Sequence, residues 1–482
     1  MLHTWQDGLD YLYGLANWET RPPGTQPSFE LDRVRSLLAM LGDPHQAWPA
    51  VHVGGTNGKG STAAMIASVL QQSGYRVGLY TSPHLHTVRE RVQVDGALIS
   101  EREVLRWLRE HRTRLDGSVG LTTFEALTAL AFSTFARRRV DVAVVEVGLG
   151  GTLDATNVVQ PCVSVLTPIG LDHTEVLGRS VAVIAADKAG ILRPGVPAVL
   201  APQPAEAEAV LTARARALGV PLVRVGDDVL VGPARQLPAA QRIEVAWPRR
   251  GARHAVTTGL LGPCQRVNAA VALATCCLLA DLGWAVSGRA VARGMRRAHW
   301  PGRFEVLGRS PLVVVDGAHN PPAADALLAT MDERLGTARR HLVLGASVDK
   351  DVEGLLAGLL PGACTAILTR SEHPRAMAVA RLCELAARQV SSGVSGAGAT
   401  GGGPSGVRIL AEATVADALE RALDLARPED AVVVTGSLFV VAEAREAWAR
   451  RGGMAMPPRD PPPVGLPPPG TVPPAGRSRG GP

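Results

Sequence analysis

The first residues that could do chemistry lie in a glycine-rich segment. It reads VHVGGTNGKGST over residues 51–62 and stands between an apolar run and a helical pattern. Glycines let the backbone turn tightly and aim its N–H groups at one point, and the N-terminus of the following helix adds partial positive charge. Lys59 can reach the outer phosphates of a nucleotide, although the spacing departs from the strict P-loop. The predicted phosphate site is Gly55, Thr56, Asn57, Gly58, Lys59, Gly60 and Ser61.

Three polar residues follow apolar runs that read as strands. Glu146 lies near the end of the run VDVAVVEVG, and His173 follows the next apolar run. Ser82 lies at the end of another strand-like run, directly before the proline of LYTSPHL. An acid at the end of an apolar strand is costly unless it faces a cation. Because ligands of α/β proteins bind at the carboxyl ends of parallel strands, we expect Glu146 to face Mg²⁺. We expect His173 to contact metal or phosphate, and the Ser82 hydroxyl could complete the set.

Lysine is rare in this chain. Of 50 basic residues only three are lysines, at positions 59, 188 and 350. Where charge alone suffices, arginine has taken its place, so the surviving lysines are candidates for chemistry that arginine cannot do. We expect such a role for Lys59 and Lys188, whereas chance survival is favoured for Lys350. Lys188 could be carbamylated and carry an anion beside a metal, or it could form a buried salt bridge; the residues alone leave both open.

Composition excludes several classes of protein. The chain has 482 residues, 46% of them hydrophobic, and a net charge of +6, which suits two or three packed domains. No signal peptide and no apolar run of bilayer length are evident, and six scattered cysteines form no C-x-x-C pair. The basic clusters are short, unlike those of a nucleic-acid binder. We expect a cytoplasmic monomer with no membrane or nucleic-acid partner.

Apolar strands alternate with helices in two successive regions of the chain. This pattern predicts an α/β fold: a P-loop-type, mostly parallel sheet domain followed by a smaller Rossmann-like domain. The insertion 391–406 reads as flexible. We expect deletion of 453–482 to leave activity intact. The predicted parts are an N-terminal ATP-binding and central region (1–297), a C-terminal domain (298–450) and a disordered Pro/Gly-rich tail (451–482).

Taken together, these strings resemble the folylpolyglutamate synthase/dihydrofolate synthase family of the Mur ligase superfamily. The resemblance runs from about Leu31 to Ala447 and includes all three lysines. It implies an ATP-dependent ligase that joins L-glutamate to a folate or dihydropteroate carboxylate through an acyl phosphate. The alternative is a Mur-type ligase for another carboxylate, such as a cell-wall precursor. The segments that carry it include GTNGKGS (55–61), LYTSPHL (79–85), TTFEA (122–126), EVGLGGTLDATN (146–157), DKAGILRPG (187–195) and DGAHNP (316–321).

The resemblance also implies roles for individual residues. It makes Lys59, His173 and Lys188 the catalytic group, with Lys188 as a carbamate near the second of two Mg²⁺ ions. The implied Mg²⁺ ligands are Ser82, Glu146 and His173. The implied nucleotide contacts outside the phosphate site are Asn268, Arg303, Asp316 and His319. The implied pterin-side contacts are Thr122, Thr123, Phe124, Glu125, Leu153, Asp154 and Ala155.

Two positions depart from the family pattern. Thr152 stands where the family usually has arginine, and Cys264 stands where it usually has histidine. The absence of the arginine could weaken an anion contact, and the absence of the histidine could weaken a nucleotide contact. A regulatory nucleotide-binding module without ligase activity is a further alternative, and the intact Glu146, His173 and Lys188 argue against it.

Overall fold

The computed structural model describes residues 2–17, 30–391, 406–452 and 455–461, and these form three sheets. The largest has eight strands in the order β4-β3-β2-β5-β1-β6-β7-β8. Its inner strands are parallel, and β3 and β4 add an antiparallel edge. The strands are β1 (Ala50–Gly54), β2 (Val77–Tyr80), β3 (Val92–Val94), β4 (Ala97–Leu98), β5 (Val142–Glu146), β6 (Pro161–Leu166), β7 (Ala198–Leu200) and β8 (Leu222–Arg224).

Helices cover both faces of this sheet, as the unbroken apolar strands predict. One face is packed by α1, α2, α4 and α5, and the other by α3 together with later helices. The helices are α1 (Trp5–Gly14), α2 (Leu31–Met40), α3 (Lys59–Gln72), α4 (Glu101–Asp116), α5 (Thr123–Arg138), α6 (Thr174–Leu177), α7 (Val181–Lys188) and α8 (Ala205–Ala217). Two more helices, α9 (Pro263–Asp281) and α10 (Gly288–Arg297), complete the N-terminal lobe, residues 2–297.

An antiparallel sheet of three strands lies between α8 and α9, and the sequence analysis did not anticipate it. Its strands are β9 (Leu230–Leu237), β10 (Ala240–Trp247) and β11 (Ala252–Thr258). Along β10 the side chains alternate, so that Ile243 and Val245 are buried whereas Arg242 and Glu244 are exposed. This period of two is the signal that could have predicted the sheet.

Helix α9 corrects the expectation that no apolar run is long enough for a bilayer. Among the described helices it alone is long and apolar enough to cross a membrane, judged by length and composition. However, 67% of its most apolar window is buried inside the protein. Ala269, Val271 and Leu273 of α9 are completely or almost completely buried in the core that includes α3, which is the environment of a core helix.

The C-terminal lobe, residues 302–452, is a smaller α/β unit, as predicted. Its sheet has the order β12-β13-β17-β14-β15-β16, and every strand except β12 is parallel to its neighbours. The strands are β12 (Glu305–Arg309), β13 (Leu312–Val315), β14 (Arg340–Leu344), β15 (Thr365–Leu368), β16 (Arg408–Ala411) and β17 (Ala431–Thr435). The helices are α11 (Pro321–Leu335), α12 (Val352–Leu359), α13 (Val379–Ser391), α14 (Val415–Leu425) and α15 (Leu438–Arg450).

The prediction of a disordered tail from residue 451 is wrong for part of that segment. Residues 455–461 are described, and Asp460 within them accepts hydrogen bonds from Trp5 and Thr87 of the N-terminal lobe. Composition alone misled the prediction, because a proline-rich stretch can be held by side chains far away in sequence. The rest of the tail, 453–454 and 462–482, and most of the predicted insertion, 392–405, lie outside the described residues.

Candidate functional site

The predicted phosphate segment, residues 55–61, joins the end of β1 to the start of α3; we call it the glycine cradle. At Gly58 the φ angle is +90°, and a Cβ atom would collide with the side-chain amide of Asn268. At Gly60 a Cβ would lie 2.8 Å from the indole ring of Trp300, in the connection between the lobes. Side chains from α9 and from the connection therefore approach the cradle so closely that glycine is required there.

Some backbone N–H groups of the cradle are already used. Those of Thr56 and Asn57 donate to the carbonyl of Pro168 at 3.0 and 3.2 Å. The N–H groups of the first turn of α3, from Lys59 onward, have no earlier helical carbonyl to bind and can face an anion. The Lys59 ammonium donates to the Thr56 carbonyl at 3.0 Å and so stays at the cradle. The predicted anion site is therefore best supported at the first turn of α3 and at Lys59, and less so at Thr56 and Asn57.

Glu146 and Ser82 meet at the same sheet edge as the cradle. Glu146 ends β5, pairs with Val53 of β1 and is only 4% exposed. Its Oε2 accepts the backbone N–H of Ser82, which follows β2, at 3.0 Å. The prediction that these two strand ends lie together is confirmed.

Lys188 ends α7 and lies beneath the cradle. Its Nζ donates to the carbonyl of Gly55 at 2.9 Å, and the residue is 4% exposed. Burial, and then the charge of Lys59, lower the pKa of Lys188 to about 7. A large fraction of this amine is therefore neutral at physiological pH.

Asp172 is the centre of a cluster that joins the two lobes, and the sequence analysis did not select it. The Lys350 ammonium lies 2.6 Å from its Oδ1, and the Asn320 amide donates to its Oδ2 at 3.0 Å. His319 Nε2 lies 3.6 Å from Oδ2. Burial alone would raise the pKa of Asp172, but its contact with His319 and the nearby positive charges lower it below its usual range. We call Asp172, His319, Asn320 and Lys350 the inter-lobe cluster.

His173 stands beside this cluster. It follows β6, its side chain is 40% exposed, and its backbone N–H donates to Asp172 Oδ1 at 2.9 Å. Its Nε2 lies 3.5 Å from the Lys350 ammonium. Lys350 therefore lies at the same site as the other two lysines, and whether it has a chemical role there stays a prediction. Their shared rarity was the signal that could have identified it.

The C-terminal lobe brings Arg303 and Asp316 to the site. The Asp316 carboxylate follows β13 and accepts the N–H groups of Phe304 and Ala318 at 2.8 and 2.9 Å. Burial raises the pKa of Asp316, and the Arg303 guanidinium opposes that effect. Arg303 lies across Gly317, where a Cβ would collide with it. The two predicted nucleotide residues are therefore neighbours.

The two departures from the family pattern have local partners. Thr152 donates through its hydroxyl and its N–H to the carbonyl of Asp187, at 2.8 and 3.1 Å, and so ties its loop to the end of α7. Burial, and then the charge of Asp316, raise the pKa of the Cys264 thiol to about 12. A neutral thiol therefore lies near the predicted nucleotide residues.

The TTFE residues have structural partners. Thr122 and Glu125 form the capping box of α5, and Arg33 Nε lies 2.9 Å from Glu125 Oε2. The Thr123 hydroxyl donates to the carbonyl of Leu12 at 2.8 Å. Thr122, Thr123 and Glu125 therefore each have a structural role that needs no ligand.

Phe124 and Leu153 differ from the other predicted pterin-side residues. Phe124 covers Gly148, where a Cβ would collide with its ring, and Leu153 is 48% exposed. In contrast, Asp154 is buried and accepts the N–H groups of Leu149 and Thr156 at 2.9 Å. Ala155 is also buried. Acceptor contact stays a prediction for all seven residues, and Phe124 and Leu153 are the best placed for it.

A cavity of about 520 Å³ opens between the lobes at this site. Ser82, Glu146, Gly60 and Arg303 line one part of it, and Trp300 forms another part of the wall. The described residues contain no group of three or more His, Cys, Asp or Glu side chains close enough to hold a metal by themselves. Mg²⁺ seldom needs such a cage, because it keeps several waters and shares phosphate oxygens.

Electrostatics also relate the scattered candidates to the cradle. Burial has the largest effect on the pKa values of Glu146, His173 and Lys188, and the positive charge of Lys59 acts on all of them. Glu146, His173 and Lys188 therefore all feel the positive charge of Lys59 at the start of α3.

Comparison with known proteins identifies the family to which this chain belongs. The Mur ligase middle domain matches residues 53–276, and the Mur ligase glutamate ligase domain matches residues 302–438. A Bacillus subtilis dihydrofolate synthase/folylpolyglutamate synthase is 35% identical over 383 residues, covering 78% of this chain and 87% of that protein. The chain belongs to the folylpolyglutamate synthase/dihydrofolate synthase family of Mur ligases.

Solved structures of this family share the fold. Folylpolyglutamate synthase of Mycobacterium tuberculosis, complexed with ADP and AMPPCP, has a TM-score of 0.80 and 32% identity, covering 88% of this chain and 96% of that one. Escherichia coli FolC, in complex with DHPP and ADP, has a TM-score of 0.78 and 32% identity, covering 94% and 99%. The predicted fold class is confirmed.

Some relatives are longer than this chain. A Haloferax volcanii protein named probable bifunctional folylpolyglutamate synthase/dihydropteroate synthase is 39% identical over 468 residues. The match covers 92% of this chain but 51% of that protein, so the chain spans about half the length of this relative.

The inter-lobe cluster makes a testable prediction about stability. In Lys350→Met the largely buried Asp172 loses its ammonium partner, and we expect a loss of about 1–3 kcal/mol of unfolding free energy. The control is Arg381→Met, which removes an ion pair with Glu384 whose side chains are 50% and 58% exposed. We expect that control to cost less than about 1 kcal/mol. Urea unfolding of the variants measures both, and equal losses would contradict the role of the cluster.

Proposed function

We propose that this chain is an ATP-dependent ligase that joins L-glutamate to the carboxylate of a folate-type acceptor. One observation carries the proposal: groups from both lobes converge on the glycine cradle, where they can hold a nucleotide beside a second substrate. Lys59 and Lys188 come from the N-terminal lobe. From the C-terminal lobe, the side-chain amide of Asn320 lies 3.3 Å from that of Asn57 in the cradle, and Lys350 reaches Asp172. The names of the relatives, and the ADP, AMPPCP and DHPP of their structures, support this reading.

The reaction needs activation because a carboxylate is a poor acyl donor. A carboxylate oxygen of the acceptor attacks the γ-phosphorus of ATP, the bond to the β,γ-bridging oxygen breaks, and an acyl phosphate and ADP result. The amine of glutamate then attacks the acyl carbon. The bond from that carbon to the bridging oxygen breaks, and this oxygen leaves as part of the phosphate. The attacking neutral amine loses a proton, and the departing phosphate takes it up and is released as monohydrogen phosphate. The protein's task is to position the reactants and to neutralise charge.

The chain supplies the cations and donors for the phosphates. The first turn of α3 and the Lys59 ammonium face the phosphoryl group that moves. Asn268 lies against the cradle, and Arg303 and Asp316 lie side by side on the facing lobe. We assign these residues, with His319, to ATP.

Ser82, Glu146 and His173 would hold Mg²⁺. The hydroxyl, carboxylate and imidazole suit a cation that also takes phosphate oxygens and water. The buried Glu146 carboxylate, fixed by the Ser82 N–H, is the strongest fit, because burying it without a cation nearby is costly. When bound, the ion neutralises charge on the phosphoryl group and on the acyl phosphate. We propose a second Mg²⁺ near Lys188.

Lys188 fits a carbamate. A neutral amine can attack CO₂ and release a proton, and an arginine guanidinium cannot replace it in this step. Its Nζ is held at the Gly55 carbonyl, beside the cradle. The resulting anion would sit where a bare ammonium would repel a metal.

Closure of the lobes protects the intermediate. An acyl phosphate is hydrolysed by water, so the site must exclude water between the two steps. Asp172 binds Lys350 and Asn320 of the other lobe at this point. Phe124 and Leu153 offer apolar surface for the ring system of the acceptor.

A substrate panel tests the proposed function. Purified protein with ATP, Mg²⁺ and glutamate should form an amide product with tetrahydrofolate, dihydropteroate or both, with one phosphate released per amide. Amide formation only with a muramoyl peptide would favour the Mur-type alternative. Phosphate release independent of every acceptor would favour the regulatory module instead.

The cradle predicts a defect specific to one glycine. In Gly58→Ala the new methyl group collides with Asn268 and forces a strained φ, so we expect ADP affinity to fall at least tenfold. The control is Gly74→Ala, which has a similar φ of +94° but open space around the position. We expect the ADP affinity of Gly74→Ala to stay within twofold of that of the unmodified chain. Isothermal titration measures both, and similar losses in the two variants would show that strain alone is responsible.

Carbamylation predicts a signal that does not depend on activity. Protein equilibrated with ¹³C-bicarbonate should show one carbamate resonance by ¹³C NMR, and Lys188→Arg should abolish it together with more than 90% of the ligase turnover. Lys350→Arg is the control, and it should keep the resonance. With three lysines in the chain the assignment is direct. An undiminished resonance in Lys188→Arg would refute the carbamate.

A further inference from the structure

The segment 455–461 contacts the N-terminal lobe through a single carboxylate. Asp460 Oδ1 accepts the indole N–H of Trp5 at 3.1 Å and the hydroxyl of Thr87 at 2.8 Å. Its Oδ2 accepts the backbone N–H of Val88 at 2.7 Å, and its own N–H donates to the His86 carbonyl at 2.9 Å. Four hydrogen bonds therefore fix one residue of a proline-rich segment that has no secondary structure of its own.

The neighbouring residue contacts the C-terminal lobe. Arg459 lies 3.3 Å from a carboxylate oxygen of Glu372 and 3.4 Å from one of Glu446, and 3.8 Å from one of Glu443. Burial, with the nearby Glu372 and Glu446 charges, raises the pKa of Glu443 to about 7, and Arg459 opposes the shift. Arg459 thus supplies positive charge to three crowded acids, although its side chain is 44% exposed.

Both contacts meet at the loop that follows Ser82. His86 of this loop is 3% exposed, and its Nδ1 lies 3.0 Å from Glu446 Oε1 of α15. Its other ring nitrogen contacts Arg445, whose Nη2 donates to Glu305 at 3.2 Å. The segment 455–461 therefore covers a junction between the lobes and adds a second connection across it.

The same segment borders the cavity of the candidate site. Ala455 and Pro457 line that cavity, together with Ser82, Glu146 and Arg303. A segment that is fixed at Arg459 and Asp460 therefore holds part of the cavity wall in position.

We propose that residues 455–461 form a strap that holds the two lobes together and completes the wall of the cavity between them. Asp460 and Arg459 are positioning residues, because they act through the loop after Ser82 and through α15. The effect on substrates rests on the proposed function, whereas the strapping contact does not. The strap predicts the opposite of the expectation that deletion of 453–482 leaves activity intact.

Two truncations of the full chain isolate the strap. Deletion of 453–482 removes it, whereas the matched deletion of 462–482 keeps every contact described above. Hydrogen–deuterium exchange followed by peptide mass spectrometry reads the amide of Val88, which donates to Asp460. We expect exchange around residues 86–88 to be at least tenfold faster in the longer deletion and within twofold of the full chain in the shorter one. Equal protection in both deletions would refute the strap.

A point variant provides the second measurement. Asp460→Ala removes three acceptor bonds and leaves the chain length unchanged, and we expect the same loss of protection at 86–88. Asp227→Ala is the control, since that carboxylate is 61% exposed and is distant in sequence from residues 86–88. We expect exchange at 86–88 in this control to match the full chain. Unchanged protection in Asp460→Ala would count against the proposed contacts.

Activity then tests the cavity wall. We expect deletion of 453–482 and Asp460→Ala to raise KM for ATP at least fivefold, to change kcat by less than threefold, and to release more phosphate per amide formed. The deletion of 462–482 should match the full chain. Loss of protection without any kinetic change would overturn the cavity role. A full chain without ligase activity would refute the proposed function while the exchange result still decides the strap.

Discussion

A charge contact between the lobes is central to the site. Lys350 and Asp172 bring together two α/β units whose sheets are separate, and the contact is largely shielded from water, where attraction between opposite charges is stronger. Each lobe alone carries only half of the groups around the cradle: Lys59 and Glu146 on one side, Arg303 and Asp316 on the other. Together with the Asn320 bond to Asp172 and the contact of His86 with Glu446, this ion pair sets the relation between the two half-sites.

Local patterns predicted the groups that follow buried strands. Glu146, Ser82 and the cradle each stand at the end of an apolar run, and parallel strands bring such ends to one edge by geometry alone. The alternation of strand and helix also gave both α/β units. The three-stranded sheet at β9–β11 was missed because attention to continuous apolar runs overlooks a period of two.

Contacts between distant residues could not be predicted in the same way. Asp172 and Lys350 are 178 positions apart, and Asp460 and Val88 are 372 apart. No periodicity links such pairs, and neither proline content nor charge indicates a partner. The TTFE string shows that a residue of a recognisable string can also have a structural role, because Thr122 and Glu125 cap a helix.

The hydrogen bonds from Thr56 and Asn57 to the Pro168 carbonyl have a consequence for affinity. They fasten the loop to the chain beyond β6, so its curvature is set by the protein and does not require a bound anion. A phosphate that binds as we propose would therefore meet preformed backbone and lose little of its binding free energy to ordering it. Discrimination between nucleotides would then rest on shape already present before the encounter.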